Sequence, residues 1–355
     1  MSEQLFISEH DEVILPHTYH FSHNIAVRLY DDLVSILKDE KVQKKLAVTL
    51  KFSETEKKPK DNEKDIIGWL INNGKQSVAD EIVSKHLTAG VISDMCHFIF
   101  QSLHSAKKIK MSVAFTLLRK PFLENLIVIE QLLSDEHAFL RKFETKPENF
   151  DPGAVKEDIK QKIIVDSVGK IKFNFFLTPE LIYELRYDKN NPNSFYAMSN
   201  LATHLVTTRH PHFKTESSNL NFVFSGQNEW ETQLDYFYYF VPLMLLYTTE
   251  IVDEYLLQKK IIDLKSYKRR KFIRLMGQIL QFDQFDKKSA KGNSTANKLT
   301  SALKTKCKSC GKTNTLFKSD LFSLIHNDYI LCKHCLVDLY KESNSLNEVI
   351  NKIMK

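Results

Sequence analysis

Glycine and proline are scarce, nine of each in 355 residues. Together they make up about 5% of the chain, against roughly 12% in average usage. Sandwiches, barrels and collagen-like chains need many turn residues, so the shortage points away from them and toward long helices. Long apolar runs are also missing. The nearest, Tyr236 to Tyr247 (YFYYFVPLMLLY), is too short to span a bilayer, contains Pro242 and is flanked by acidic residues. It predicts a buried helix. Residues 1–12 are polar and lack the basic-then-apolar pattern of a secretory signal. A cytoplasmic protein without a membrane partner is therefore expected. No P-loop, GxGxxG, GxSxG or HExxH is present, which disfavours NTPases, Rossmann dehydrogenases, α/β-hydrolases and common zinc proteases.

What the chain does contain is ordinary for a globular protein: 43% hydrophobic and 26% charged residues, with 24 phenylalanines. Its length suggests two domains, or one large domain with an appendage. Charge is unevenly spread. Residues 259–312 hold 16 Lys/Arg against 3 Asp/Glu, and the overall net charge is +6, so the remainder carries −7. A one-signed segment of this kind suggests a polyanionic partner, such as RNA or another nucleic acid. The competing reading is a solvated helix face followed by a soluble tether.

Apolar periodicity predicts helices over 21–47, 66–71, 76–106, 109–133, 155–168, 179–187, 194–208, 230–258 and 260–282. Thr178 with Pro179 marks one start, Asn72-Asn73-Gly74 marks one stop, and Pro121 should kink its helix. The stretch NLNFVF, 219–224, reads as a short strand. Residues 284–305, rich in Ser, Thr, Asn and Lys, read as a linker. The expected class is mainly α: a helical body over 1–283, a linker over 284–305, and a small C-terminal module over 306–355 with a short β-hairpin.

That module carries the most specific motif. Cys307-Lys-Ser-Cys310 is followed, after 21 residues, by Cys332-Lys-His-Cys335. Two CxxC pairs supply the four thiolates that a tetrahedral structural Zn²⁺ site takes. A module of about 50 residues buries little core, so the metal must supply folding energy. Gly311 permits the left-handed turn of a knuckle. Residues 316–318 and 329–331 resemble hairpin strands, and 336–342 reads as a helix. His326 and His334 are possible substitute ligands. The fifth cysteine, Cys96, reads as a core residue.

Two further segments hold polar groups on apolar backgrounds. In Leu118-Arg119-Lys120-Pro121-Phe122-Leu123-Glu124, the charge of Arg119 needs a partner, and Glu124 is one candidate. In Ser194 to His204, Tyr196, Asn200 and His204 recur every four residues and would share one helix face. The pair of patterns, LRKPxxE and then YxxSxxxxH, resembles uncharacterised bacterial proteins related to the HEPN superfamily, over roughly residues 90–260. The resemblance implies a helical bundle, often dimeric, and a metal-independent endoribonuclease of bacterial stress or phage-defence type. It implies His204 for proton transfer, Asn200 for orientation, and an arginine for the phosphate. The motif's own arginine position is Ser199 here, so Arg119, Arg186 or Arg209 would have to supply that charge. Two other readings stay open: a non-catalytic nucleic-acid- or protein-binding module with a structural zinc site, and a small-ligand sensor. The loop Arg209-His210-Pro211-His212 offers an HxH pair, read as an exposed turn more readily than as a metal site.

Overall fold

The computed structural model describes the chain apart from residues 1–3, 9, 56, 61–62, 146–151, 224, 286–294, 341–344 and 355. It is mainly α-helical, and among the described residues its sheet is a single two-stranded ribbon. The body comprises α1 (His20–Lys38), α2 (Glu40–Leu46), α3 (Ile66–Asn72), α4 (Gln76–Lys107), α5 (Met111–Arg119), α6 (Leu126–Thr145), α7 (Glu157–Lys170), α8 (Pro179–Arg186), α9 (Phe195–Thr203), α10 (Gln227–Gln258) and α11 (Leu264–Phe285). The C-terminal part adds α12 (Thr295–Ala302), β1 (Lys304–Lys306), β2 (Thr313–Thr315), α13 (Lys318–Asn327) and α14 (Ser345–Ile353).

Helix α10 is the axis. Every residue from Phe240 to Leu256 is buried, so this apolar run is a core helix enclosed by α1, α5, α6, α7 and α11. No helix of the described chain is long and apolar enough to cross a membrane. Local chemistry explains most boundaries. Asp39 accepts from the N–H groups of Lys41 and Val42 and so starts a new helix, which splits the single helix expected over 21–47. The Thr178 hydroxyl accepts from Leu181 N–H, ahead of Pro179 at the first helical position.

Pro121 acts as expected but through a specific device. Lys120–Asn125 form a π-helical turn in which Leu126 N–H bonds Pro121 O. The shifted register leaves carbonyls open to side chains. Phe122 O accepts from Arg186 Nε at 3.0 Å, and Leu123 O accepts from the Tyr187 hydroxyl at 3.1 Å. Arg186 also reaches Glu130 Oε1 at 2.5 Å, and both side chains are wholly buried. Arg186 is thus closed inside the core and is not available to a phosphate.

Several expected elements fall differently. Helix α9 stops at Thr203 instead of running to 208. No strand forms over 219–223, and residue 224 lies outside the described residues. The linker expected at 284–305 is shorter: α11 extends to Phe285, while α12 and β1 occupy 295–302 and 304–306. Residues 286–294 lie outside the described residues. The hairpin strands are 304–306 and 313–315, flanking the first CxxC pair, with Lys304 opposite Thr315 and Lys306 opposite Thr313. The segment expected to hold strands between the pairs is helix α13, started by Asp320 accepting from Phe317 N–H at 2.7 Å. Of the helix expected over 336–342, none forms at 336–340, where Asp338 bridges to Leu331 and 339–340 turn, and 341–342 lie outside the described residues.

The C-terminal part is docked on the body. One apolar core runs through both, including Ile25, Met276, Leu321, Ile325 and Cys332. Gly277 lets α11 approach α1 and α13 together. A Cβ there would lie 3.3 Å from Ile25 Cδ1 and 3.8 Å from Ile325 Cδ1. Arg28 holds Asp328 with two hydrogen bonds, at 2.8 and 2.7 Å. His326 sits in this interface against the rings of Phe6, Phe21 and Phe322, where burial lowers its pKa and Arg28 adds to the effect.

Candidate functional site

The four cysteines come together as their spacing predicts. All four sulfurs lie within 4.8 Å of one another, and the cluster can hold a metal ion. Cys307 and Cys335 are 3.6 Å apart, and Cys310 and Cys332 are 3.7 Å apart. Each pair sits on a knuckle. Gly311 N–H bonds Cys307 O and Leu336 N–H bonds Cys332 O, with both donors in the left-handed region, at φ 71° and 60°. Only the first knuckle has the glycine that this conformation favours. His326 and His334 are not part of the cluster.

Asn314 is a supporting residue that spacing did not reveal. It is buried on β2, and its amide Nδ2 donates to Cys332 Sγ at 3.4 Å while its Oδ1 accepts from Lys333 N–H at 2.9 Å. One side chain therefore ties the ribbon to the second knuckle. Burial opposes ionisation of Cys332, but the N–H groups of His334 and Cys335 and the Asn314 amide outweigh it and lower its pKa, while at Cys335 the Val337 N–H is outweighed by burial and the other three sulfurs, which raise it. Cys96 is buried elsewhere, its pKa pushed up to about 12 by burial, as an inert core thiol should be.

The second site lies on the body. Arg119, the last residue of α5, donates from Nη1 to Asn200 Oδ1 on α9 at 3.2 Å. Its partner is thus Asn200 and not Glu124. The Asn200 amide nitrogen donates to Tyr196 O at 2.7 Å, which fixes which end of the amide faces the arginine. Beside this pair is a cleft of about 460 Å³, lined by Tyr196, Asn200, His204, Arg209, His210 and Phe213 together with 206–208. The cleft therefore brings together Asn200, His204 and Arg209, with Arg119 bonded to Asn200 outside its lining.

His204 arrives by a different route from the expected one. It does not share a helix face with Asn200. It is the residue at which α9 ends, with extended backbone at φ −109° and ψ 132°. From there the loop folds back and is pinned by Asn221, whose Nδ2 donates to His204 O and to Thr207 Oγ1, both at 2.8 Å. Thr215 completes the brace, with its hydroxyl donating to Asn221 Oδ1 at 2.7 Å and accepting from Thr207 N–H at 2.7 Å. An irregular loop held at this many points presents its side chains from a fixed backbone.

His210 is the residue whose role the sequence hid. Its ring stacks on Phe213 at 4.2 Å and 10°, and its Nδ1 is buried with no hydrogen-bond partner among the described residues. A second imidazole thus faces the same cleft as His204. His212 is exposed, with its ring centroid 6.2 Å from that of His210. Apart from the four cysteines, no group of three or more metal-ligating side chains occurs among the described residues.

Comparison with protein-family models, with curated proteins and with solved structures gives no match.

Proposed function

We propose that the cleft binds an RNA phosphodiester and that the chain is a cytoplasmic, metal-independent endoribonuclease. The observation that carries this reading is the Arg119–Asn200 contact at the wall of a cleft that also holds His204, Arg209 and His210. One arginine and two imidazoles around one opening, with a second arginine bonded to its Asn200 wall, suit a phosphate undergoing internal transfer. His204 takes the proton of the RNA 2′-hydroxyl, and the 2′-oxygen forms a bond to phosphorus. The bond from phosphorus to the 5′-oxygen breaks, and His210 gives the leaving oxygen its proton. The products are a 2′,3′-cyclic phosphate and a 5′-hydroxyl. Arg119 and Arg209 neutralise charge on the phosphate oxygens, and Asn200 orients Arg119.

The resemblance to HEPN-related proteins supports the same chemistry, adds a stress or phage-defence setting, and implies a homodimer. The Cys₄ cluster is a structural zinc site under this proposal. Tetrahedral sulfurs at about 2.3 Å from one ion stand roughly 3.8 Å apart, close to the 3.6 and 3.7 Å separations of the two closest pairs. With four protein ligands, such a site has no open position for catalysis.

An RNA cleavage assay in EDTA tests the reading, with zinc content and helical circular dichroism followed in parallel. Cleavage should yield cyclic phosphate ends, and His204→Ala should lower the rate about a hundredfold or more. Cleavage by His204→Ala at the wild-type rate, or none by the folded wild type, overturns the enzyme. The second outcome favours a non-catalytic binding protein, a reading that has its own support. Ser199 occupies the motif's arginine position, buried, with its hydroxyl turned back to Tyr196 O at 3.1 Å.

A further inference from the structure

The cation-rich stretch of the sequence divides in two once folded. On α11, Arg270, Lys271 and Arg274 are spent on Asp253, Glu250 and Asp32, and Arg269 donates to Tyr340 O. Further along, Lys304, Lys306, Lys308 and Lys312 are exposed. Burial along β1 alternates exposed, buried, exposed, so Lys304 and Lys306 share the outward face of the ribbon while Thr305 points inward. Opposite them on the same face stand Thr315 and Thr313. Two residues past Thr315, Phe317 continues the alternation, 55% exposed. Lys308 and Lys312 extend the exposed cationic rim onto the first knuckle.

We propose that this outward ribbon face docks single-stranded RNA. The proposal deepens the RNA-directed reading above and rests on it for the choice of RNA. Lys304 and Lys306 lie about 6.6 Å apart on one face of β1, and exposed Lys308 follows on the first knuckle, a row of cations suited to a polyanionic backbone. Phe317 supplies a ring for an unpaired base, since every base has a π face. Lys333 covers one face of that ring, its Nζ 3.4 Å from the centroid and held by Thr315 O and Asp320, which leaves the opposite face for a base. The three acidic residues of 304–340 do not cancel the charge of Lys304 and Lys306. Asp328 is held by Arg28, Asp338 accepts from the N–H groups of Ile330 and Tyr340, and Asp320 caps α13 beside Lys333. A duplex hides its base faces, so a single strand is the form this surface fits.

The test is fluorescence anisotropy with a labelled oligouridylate of about 16 nucleotides, using the zinc-loaded full chain across a salt series. Lys304→Gln/Lys306→Gln should weaken binding about tenfold at low salt and reduce the salt slope by about 1.4, from roughly 0.7 per phosphate contact. Phe317→Ala should weaken it about tenfold while leaving the slope unchanged. Removing two exposed lysines of the body, Lys41→Gln/Lys44→Gln, should change neither. All substituted positions are exposed, so unchanged zinc content and helicity confirm the fold. Wild-type binding by the ribbon variants overturns the proposal, as does equal displacement of the RNA by polyglutamate or by duplex RNA. Cleavage by wild type with undiminished binding by the ribbon variants sinks the ribbon and spares the cleft. Binding lost in the ribbon variants of a protein that never cleaves does the reverse.

Discussion

Arg186 and Arg119 end neighbouring helices of one bundle, yet they live in opposite surroundings. Arg186 is wholly buried, pairs with the carboxylate of Glu130, and fills its remaining donors with Phe122 O and the Tyr187 hydroxyl. Arg119 stands beside a cleft and donates to a neutral amide. The first charge is cancelled where it sits. The second is positioned but not cancelled, so it is free to act on something that enters. The same contrast separates Arg270, Lys271 and Arg274 of α11, absorbed by Asp32, Glu250 and Asp253, from the open lysines of β1. Burial pushes Asp253 up, but Arg270 and Arg274 outweigh it and hold the carboxyl below its usual range. A cation's partner, more than its type, separates structure from function here.

The sharpest way to break this comparison is to strand a carboxylate. Arg186→Met leaves Glu130 charged in the core and should cost about 3–5 kcal/mol in urea denaturation, whereas Arg186→Met/Glu130→Leu should recover much of that loss. A single-variant loss under about 1 kcal/mol would mean that the pair is not load-carrying.

A smaller effect comes from His23, buried between Leu5 O and the Tyr238 hydroxyl, each 3.0 Å from a ring nitrogen. Burial lowers its pKa to about 4, against the ordinary value near 6.5. The folded chain therefore excludes a proton that the unfolded chain accepts below about pH 6.5. The contribution of His23 is complete above that pH and is lost progressively down to about pH 4, a swing of about 3 kcal/mol. His23→Gln should flatten the stability profile across this window, and parallel profiles for the two proteins would refute the assignment.

The smallest stability change belongs to Arg119→Met. Its partner is neutral and its site half open, so unfolding free energy should fall by less than about 1 kcal/mol. Any RNA cleavage should nevertheless collapse. A loss of stability matching that of Arg186→Met would place Arg119 among the structural cations instead.

Much of the fold was legible because its signals are local. Thr178-Pro179, Asn73-Gly74 and Pro121 each act on the backbone within one turn, and each does so here. The CxxC pairs are legible for the same reason. The end of α9 was not, because Leu205 and Val206 continue an apolar pattern, and the stop is stabilised by Asn221, seventeen residues beyond His204. The hairpin register failed where Leu321, Leu324 and Ile325 proved to be the buried face of a helix rather than filler between strands. The basic stretch misled for a third reason. Counting Lys and Arg cannot reveal that Asp32, more than two hundred residues upstream, lies against Arg274. In the cleft, Asn200, His204 and Arg209 could be named as candidates from the sequence, but His210 needed the loop's path to join them.

Gly277 has a wider consequence. Because it lets α1, α11 and α13 share one apolar seam, the metal-binding end is not a bead on a string. A ligand that binds only the folded state adds RT ln(1 + [L]/Kd) to the free energy of the cooperative unit that contains its site. Here the seam makes that unit the whole chain, and an ion held by the four thiols lends its binding energy to helices far from any cysteine. If the cluster holds an ion, heating the loaded protein should melt it in one transition, and stripping the ion should shorten the life of the distant cleft as well.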